Sequence, residues 1–415
     1  MTTPLRIAIL GAGINGVATA LWLARAGHRP ILIDPAEPGR AASYGNAGVL
    51  AAAAVLPVAE PGIWWRAPRM ALNPDAPLFL RWRYLPRLLP WLARLARHTN
   101  NAEVDRIAAA LGPLLGDALD EHLSLAAGTD AAHYVKPVDY LYAFRDRAAF
   151  DAGAAGWARR KAAGHRWTTL EGDALRDAEP GLGPEIGFGA ALHGHGMITD
   201  PGAYLAALTD AAQAVGATHI RAKAQGLRRQ AGSVTGVHVG GDMVDCDHVV
   251  ITAGAWSASL MADLGLTVPL ESERGYHLDL FGSSIRPRGP TYVSTGAFVA
   301  TPMEGRVRLA GVLEFGGLNA GPSKAPFALL RRQVRRAFPG LTWQHEEEWM
   351  GHRPALPDSL PVIGAVPGVA NAWAGFGHQH VGLTAGARTG RMLAQLITGT
   401  RPNIDISAFA PDRFA

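Results

Sequence analysis

Residues 5–34, LRIAILGAGINGVATALWLARAGHRPILID, hold every part of a dinucleotide-binding βαβ unit in order, and this run constrains the fold more than any other stretch. A short apolar strand (residues 7–10) feeds Gly11-x-Gly13-x-x-Gly16. A helix follows through Arg25, Gly27 ends it, and a second strand (residues 30–33) finishes on Asp34. Each glycine has a mechanical task. Gly11 makes the tight turn, and Gly13 lets the backbone approach a pyrophosphate. Gly16 lets the helix pack closely on the strand, with the helix N-terminus facing the diphosphate. Asp34 follows at roughly 20 residues, where an acidic side chain accepts hydrogen bonds from a ribose hydroxyl. The run leaves open which dinucleotide is bound, and for what.

At 415 residues, 48% hydrophobic and 18% charged, the chain is long enough for two or three domains around a large core. Its one cysteine, Cys246, excludes an intramolecular disulfide and points to a reducing compartment. No secretory signal is visible ahead of the first strand, so a cytoplasmic protein is expected. The longest run of small apolar residues, 47–59, is too short to cross a bilayer and contains Pro57. The net charge of +4 comes mostly from arginine and is not read as nucleic-acid binding.

No repeat or low-complexity linker interrupts the chain, which suggests interleaved domains. A Gly/Ala-rich loop (41–54) follows the βαβ unit, then a Trp/Arg/Pro-rich stretch to about residue 98 and a long helical region, 101–126. Residues 140–144 read as a strand and 147–163 as a helix. Residues 201–215 read as a helix led by Asp200 and Pro201. Short strands dominate from His219, with a hairpin turn at Gly240-Gly241. The run 247–252 is a buried strand that ends in Ala253-Gly254-Ala255-Trp256. Residues 268–350 are again β-rich with a basic helix at 324–338, and a strand at 373–376 leads to a helix at 383–397.

Four further segments carry chemistry. Ser43-Tyr44-Gly45-Asn46-Ala47-Gly48-Val49 is built of small residues that let backbone amides reach a diphosphate or a flat ring. The strand 249–252 delivers Ala253-Gly254 to a strand C-terminus, where a ligand crevice is expected. Residues 351–364, GHRPALPDSLPVIG, carry three prolines between terminal glycines and form a rigid path. Residues 375–384, GFGHQHVGLT, approach a helix N-terminus whose unpaired N–H groups and positive dipole suit a negative charge.

Together these segments resemble the D-amino acid oxidase superfamily of FAD enzymes over about residues 5–414, most closely the bacterial D-amino acid dehydrogenases. The Ser-x-x-Asn-Ala-Gly loop, Arg274-Gly275-Tyr276, GxRPxxPDxxPxIG and GHxxxGxT carry the likeness. The resemblance implies an α/β (α+β) fold, a Rossmann-like FAD-binding domain (1–55, 195–265 and 350–415) interleaved with a β-sheet-based substrate-binding domain (56–194 and 266–349). It places Gly11, Gly13, Ile14, Asn15, Gly16 and Asp34 at the ADP half of FAD. Ser43, Asn46, Ala47, Gly48 and Val49 then line the diphosphate and flavin. Ala224, Ala253, Gly254 and Trp256 lie near adenine and ribose, and Gly377, His378, Gly382, Leu383 and Thr384 meet the pyrimidine edge of the flavin. Asp34 stands where such enzymes more often carry glutamate. Cys246 lies far in sequence from the C-terminal motif at which some relatives attach flavin, so FAD is expected to be non-covalent.

A D-amino or imino acid substrate needs its carboxylate pinned and its Cα–H aimed at flavin N5. Arg353 is the leading carboxylate clamp, since a guanidinium offers a planar bidentate fork. Arg274 and Tyr276 are candidates for a second carboxylate contact, and His380 or Tyr276 for removal of the amine proton. No metal site is expected. His193-Gly-His195 has a metal-like spacing but reads as a loop without nearby carboxylates. The reaction implied is hydride loss from Cα and hydrolysis of the imine, with electrons passing to a quinone or other non-oxygen acceptor.

Between residues 64 and 98 stand Arg66, Arg69, Arg81, Arg83, Arg87, Arg94 and Arg97 against one acid, Asp75, with Trp64, Trp65, Trp82 and Trp91. Leu85, Leu88, Leu89, Leu92 and Ala96 fall at helical spacing. The segment suits peripheral contact with the inner face of an anionic membrane, or equally a helix packed on the protein's own core or on a dimer partner. Rival readings are a glycine or sarcosine oxidase using oxygen, a nicotinamide dehydrogenase that leaves 351–384 unused, and a non-catalytic flavoprotein subunit.

Overall fold

The continuous apolar run of β1 (Arg6–Leu10) is buried from Ile7 onward, as expected of a central parallel strand covered on both faces. It pairs in parallel with β2 (Arg29–Ile33) on one side and β12 (His248–Ile251) on the other. The computed structural model describes residues 3–73 and 75–414, apart from the side chains at 66, 68, 69 and 71, so the expectations placed on Arg66 and Arg69 lie outside the described residues. The first sheet runs β18 (Val362–Ala365), β19 (Ala372–Phe376), β12, β1, β2 and β8 (Thr218–Ile220), with β18 alone antiparallel to its neighbour. The chain leaves β1 toward β2 and later returns on the other flank as β12. Between the carboxyl ends of β1 and β12 the strand order reverses, and ligands bind open α/β sheets at such a crevice.

Helix α1 (Ile14–Arg25) covers one face of this sheet and packs against the last helix of the chain, α5 (Gly382–Ile397). The contact is close because α5 carries Gly390, where a Cβ would stand 2.4 Å from Ala18 Cβ. Both helices begin without a side-chain cap. Helix α4 (Pro201–Ala214), capped by Asp200 through the Gly202 and Ala203 amides, flanks α1. The other face lies under a three-stranded antiparallel sheet, β9 (Ala224–Gln230), β10 (Ser233–Val239) and β11 (Asp242–Asp245).

The second large sheet runs β17 (His345–Ala355), β13 (Glu271–Phe281), β16 (Arg306–Phe315), β15 (Phe298–Met303), β14 (Thr291–Val293), β5 (Val135–Phe144), β7 (Phe188–Ile198) and β3 (Val49–Leu50). β4 (Leu78–Leu80) adds to β16, and β6 (Trp167–Glu171) to β7. The helical region at 101–126 divides into Asn101–Leu115 and Ala118–Ala126, and the helix expected at 147–163 into Arg147–Asp151 and Ala154–Ala162 with Gly153 between. His193 and His195 lie in β7 and not in a loop, and a carboxylate is at hand: His193 Nδ1 is 2.9 Å from Asp139 Oδ2.

The basic segment forms α2 (Ile63–Leu72), β4 and α3 (Leu85–Leu95). Leu88 and Trp91 of α3 are buried against Phe315 and Ala355, with Leu92 and Leu95 packed beside them, so much of the apolar stripe faces the protein's own core. Arg81 turns inward to Glu314 and the carbonyl of Gly321. Trp65, Leu72, Trp82 and Leu89 are left exposed on the outside.

Candidate active site

A single cavity of about 1060 Å³ starts at the carboxyl ends of β1 and β12 and runs to the wall formed by β13 and β17. At its first end Gly11 has φ of 115°, and a Cβ there would meet the Thr252 carbonyl oxygen at 2.5 Å. Asp34 closes this end. Its Oδ2 accepts the Ala12 amide and its Oδ1 the Ala36 amide, both at 2.8 Å, and the carboxylate keeps lone pairs for a ligand. Gly13, Ile14 and Asn15 bring the first turn of α1, whose N-cap Gly13 offers no side-chain cap, to the cavity. Ser43 Oγ accepts the Ile14 amide at 3.1 Å and so ties the loop after β2 to that turn.

The loop at 41–49 then lines the cavity with Ser43, Asn46, Ala47 and Val49. Its shape is held from below by residues that no sequence motif flagged. Arg308, fully buried on β16, grips Asp279 of β13 bidentately at 2.8 Å and donates from Nη1 to the carbonyls of Tyr44 (2.5 Å) and Asn46 (2.9 Å). His277 Nδ1 donates to the Gly45 carbonyl at 3.1 Å while its ring stacks on Trp349 at 4.9 Å. Burial, aided by Arg308, pushes the His277 pKa down to about 3, so the ring is neutral. Burial also opposes the charge on Asp279, but hydrogen bonds from Arg308 outweigh it and keep that carboxyl below its usual range.

The second helix start faces the same cavity through Gly382, Leu383 and Thr384 of α5. Thr384 Oγ1 accepts the Ala51 amide and donates to the Val49 carbonyl, joining α5 to the loop. The Leu383 carbonyl accepts from His122 Nε2 at 2.8 Å, and Tyr204 donates its hydroxyl to the other ring nitrogen. His378 links the two helix starts. Asn15 Nδ2 donates to its Nδ1 at 3.1 Å, so Nε2 carries the proton shared with Thr389 Oγ1. Burial drives the His378 pKa down to about 3. Ala224, Ala253, Gly254 and Trp256 complete the wall near Asp34.

Gly16, Gly48 and Gly377 do not line the cavity; they permit it. A Cβ on Gly16 would stand 1.9 Å from the Gly11 carbonyl oxygen, and one on Gly48 2.6 Å from that of Ile198. Gly377 turns with φ of 85° beneath Leu356. Cys246 is buried in the core between the two smaller sheets and does not line the cavity.

At the far end stand Arg353, His352 and Trp349 from β17, Glu273 and Gly275 from β13, and His380 from the turn Gln379–Val381. The Arg353 guanidinium makes no hydrogen bond or ion pair among the described residues. Burial lowers its pKa, and the nearby charge of Glu273 works against that lowering. His380 exposes its ring to the cavity, where desolvation and then Arg353 hold its pKa at about 4. The same cavity is also lined by Tyr140, Tyr142, Tyr292 and Arg160, whose guanidinium lies 5.6 Å over Tyr142.

Arg274 and Tyr276 are not brought to this cavity. Side chains alternate along a strand, so when Glu273 and Gly275 face the cavity Arg274 and Tyr276 face away. Arg274 is fully buried against Glu314 Oε2 at 2.6 Å and the Ala320 carbonyl at 2.7 Å. Tyr276 donates to the same Glu314 oxygen at 2.5 Å. Both belong to a closed polar cluster, with no surface left for a substrate carboxylate.

The donor set fits a flavin dinucleotide: two uncapped helix starts share one cavity, a carboxylate stands at the β2 end, and small residues line the path between. The comparisons agree with that reading. Residues 6–396 match the family described as FAD dependent oxidoreductase, DAO. The chain belongs to this DAO family of FAD-dependent oxidoreductases. It is 41% identical to the D-amino-acid oxidase of Bradyrhizobium diazoefficiens and 33% identical to D-amino acid dehydrogenase 2 of Pseudomonas aeruginosa, each over 98% of both chains. Among solved structures it resembles the glycine oxidase of Geobacillus kaustophilus (TM-score 0.74, 21% identity, 99% of each chain). It also resembles the iminodiacetate oxidase of Chelativorans sp. BNC1 (TM-score 0.72, 23% identity, 98% of this chain and 99% of that one). As a DAO-family enzyme the chain has the mixed α/β architecture of these flavoenzymes.

Proposed function

We propose that this DAO-family enzyme oxidises D-amino acids, with compact cyclic ones such as D-proline or D-hydroxyproline among its substrates. The observation that carries the reading is the Arg353 guanidinium, which lines the cavity over a glycine and makes no hydrogen bond or ion pair among the described residues. A partly buried cation in that condition calls for an anion, and a planar fork suits a carboxylate. The names of the two curated relatives above support D-amino acids as the class. In this reading the FAD-binding unit is drawn from 1–55, 195–265 and 350–415, and the substrate-binding unit from 56–194 and 266–349.

When bound, FAD supplies the acceptor for hydride from the substrate Cα. Arg353 holds the carboxylate and fixes the orientation of Cα–H. Gly275 leaves the space the guanidinium occupies. His380, neutral at physiological pH, adds no positive charge beside Arg353. The aromatic and apolar walls, Trp349, Leu313 and Phe315 among them, limit water at the reacting carbon. The imine formed from a primary D-amino acid then hydrolyses to a 2-oxo acid and ammonia, while that from a cyclic imino acid keeps its nitrogen in the product. The buried Cys246 thiol, raised to about 11 by desolvation, is away from the cavity, which favours non-covalent FAD.

Electrons pass in this proposal to a quinone or other non-oxygen acceptor. Trp65, Trp82 and Leu89, exposed on the segment that also walls the cavity through Trp64, Trp91 and Leu92, favour peripheral contact with the inner face of the cytoplasmic membrane. Among the described residues no helix is long and apolar enough to cross a membrane. Transfer to oxygen is the second reading, favoured by the oxidase name of the 41% identical relative. Turnover with D-amino acids, scored in parallel for peroxide and for quinone-analogue reduction, decides between them.

A further inference from the structure

The strand pair β13·β17 sets Glu273 directly opposite Arg353, on the cavity face. The two side chains do not close on each other. The guanidinium swings along the strand to lie over Gly275, where a Cβ would be 2.6 Å from Cζ. Glu273 is thereby left at 4% exposure with no hydrogen bond and no ion pair among the described residues, its carboxyl opening to the cavity. A buried carboxyl without a donor is an anomaly that a fold does not retain for stability. The cavity wall thus presents an unsatisfied anion beside an unsatisfied cation, a pattern complementary to a zwitterion.

We propose that Glu273 is a catalytic residue that binds the substrate's α-ammonium group and takes one proton from it, while Arg353 holds the α-carboxylate. This inference rests on amino acid oxidation as the function of the site. In the step, one ammonium N–H bond breaks and one O–H bond forms on a Glu273 carboxylate oxygen. No electrons are exchanged, and charge is conserved. The product is the neutral amine, whose nitrogen lone pair can form the C=N bond as hydride departs from Cα. Oxidation of the protonated amine lacks that lone pair, so the order is fixed by chemistry.

The surroundings suit a proton acceptor. Desolvation is the main influence on Glu273 and lifts its pKa to about 7, with Arg353 opposing and Glu271 reinforcing the rise. Glu271 lies on the same strand and shares its charge with the Tyr84 hydroxyl. From β17 come Arg353 and His352, the latter bonded to Ser272 Oγ, and from the turn Gln379–Val381 comes His380. Phe315 stands opposite on β16 and brings no charge, and Arg274 pairs with Glu314 on the far face of the sheet. A carboxyl that titrates near neutrality both accepts a proton and releases it at working pH.

Two ligands that cannot lose hydride separate binding from turnover: 2-methylalanine, a zwitterion without a Cα–H, and pivalate, its amine-free counterpart. In the FAD-loaded protein, 2-methylalanine is expected to bind on the order of tenfold or more tightly than pivalate. In E273Q that preference should vanish, with pivalate binding equal or tighter because the neighbouring negative charge is gone. Anaerobic flavin reduction by a D-amino acid in E273Q should fall by about 10²-fold at pH 7 and recover as pH approaches the pKa of the amine. E273D should restore part of the preference. An E273Q protein that keeps both the zwitterion preference and the parental pH profile overturns the proposal, as does one that loses pivalate binding in parallel. If no D-amino acid reduces the parent's flavin, the proposed function itself fails. A parent that is reduced beside an unaltered E273Q refutes only the role of Glu273.

Discussion

The Arg353 guanidinium lies over the bare Cα of Gly275, and a Cβ at that position would stand 2.6 Å from Arg353 Cζ. The arginine and the space that accepts it come from neighbouring strands, β17 and β13, which pair along their full length. G275A should therefore displace the guanidinium, the far end of a flexible side chain, without unfolding the sheet. The expected result is a KM for the amino acid raised by about tenfold or more, with Tm little changed. R353K, which keeps charge but loses the planar fork, should cost about 10- to 100-fold in kcat/KM. Steady-state kinetics with a thermal melt on each variant check both.

Asp34 should decide cofactor retention. D34A removes the acceptor for the Ala12 and Ala36 amides together with the group placed for a ribose hydroxyl. Purified D34A is expected to carry substoichiometric FAD and to bind added FAD on the order of tenfold or more weakly. Visible absorbance per protein chain and equilibrium dialysis measure this.

The Arg308–Asp279 pair links the two large parts of the site. R308M removes the bidentate partner of Asp279, leaving it Arg306 Nε at 2.9 Å, and frees the carbonyls of Tyr44 and Asn46. A loss of about 2–3 kcal/mol is expected, with weaker FAD binding from the loosened loop. Because the folded pKa of Asp279 is depressed, its contribution is present above the unfolded carboxylate pKa and disappears as pH falls through the folded value. Chemical denaturation of R308M against the parent at neutral pH tests the magnitude.

Several histidines give stability a second pH dependence. His122 and His195 are held at about 4 by burial, and His277 and His378 at about 3. Each is neutral in the fold and would gain a proton near pH 6.5 once unfolded. The unfolded state binds more protons in that window, so stability rises with pH there. Stability should be complete above about pH 6.5 and decline toward pH 4. Tm measured across this window should fall, and H122N should flatten part of the slope.

How far the site could be read from the chain depends on the range of the interactions. Gly11, Gly13 and Asp34 belong to one local βαβ unit with fixed spacing, and the structure sets them around one crevice. Arg353 stood out because a proline follows it in a stiff, glycine-bounded segment. In Arg274-Gly275-Tyr276 the middle residue faces the cavity and its neighbours face away, since a shift of one residue in a strand exchanges its faces. The phase of β13 depends on pairing with β16 and β17, which no local pattern reveals. Arg308, Asp279 and His277 act through carbonyls more than 200 residues distant in sequence and form no motif. Glu273 is hidden for the same reason, although its alternation with Gly275 could have marked it once the face was known.

Arg353 and the FAD-binding crevice together make the proposed amino acid oxidising site. Anaerobic titration of the purified yellow protein with D- and L-amino acids, D-proline, D-hydroxyproline and N-methylglycine tests it most directly. D-amino acids are expected to bleach the flavin absorbance, and R353L to abolish or greatly slow the bleaching. A protein whose flavin stays oxidised with every member of the panel, or whose R353L variant bleaches as fast as the parent, would contradict it.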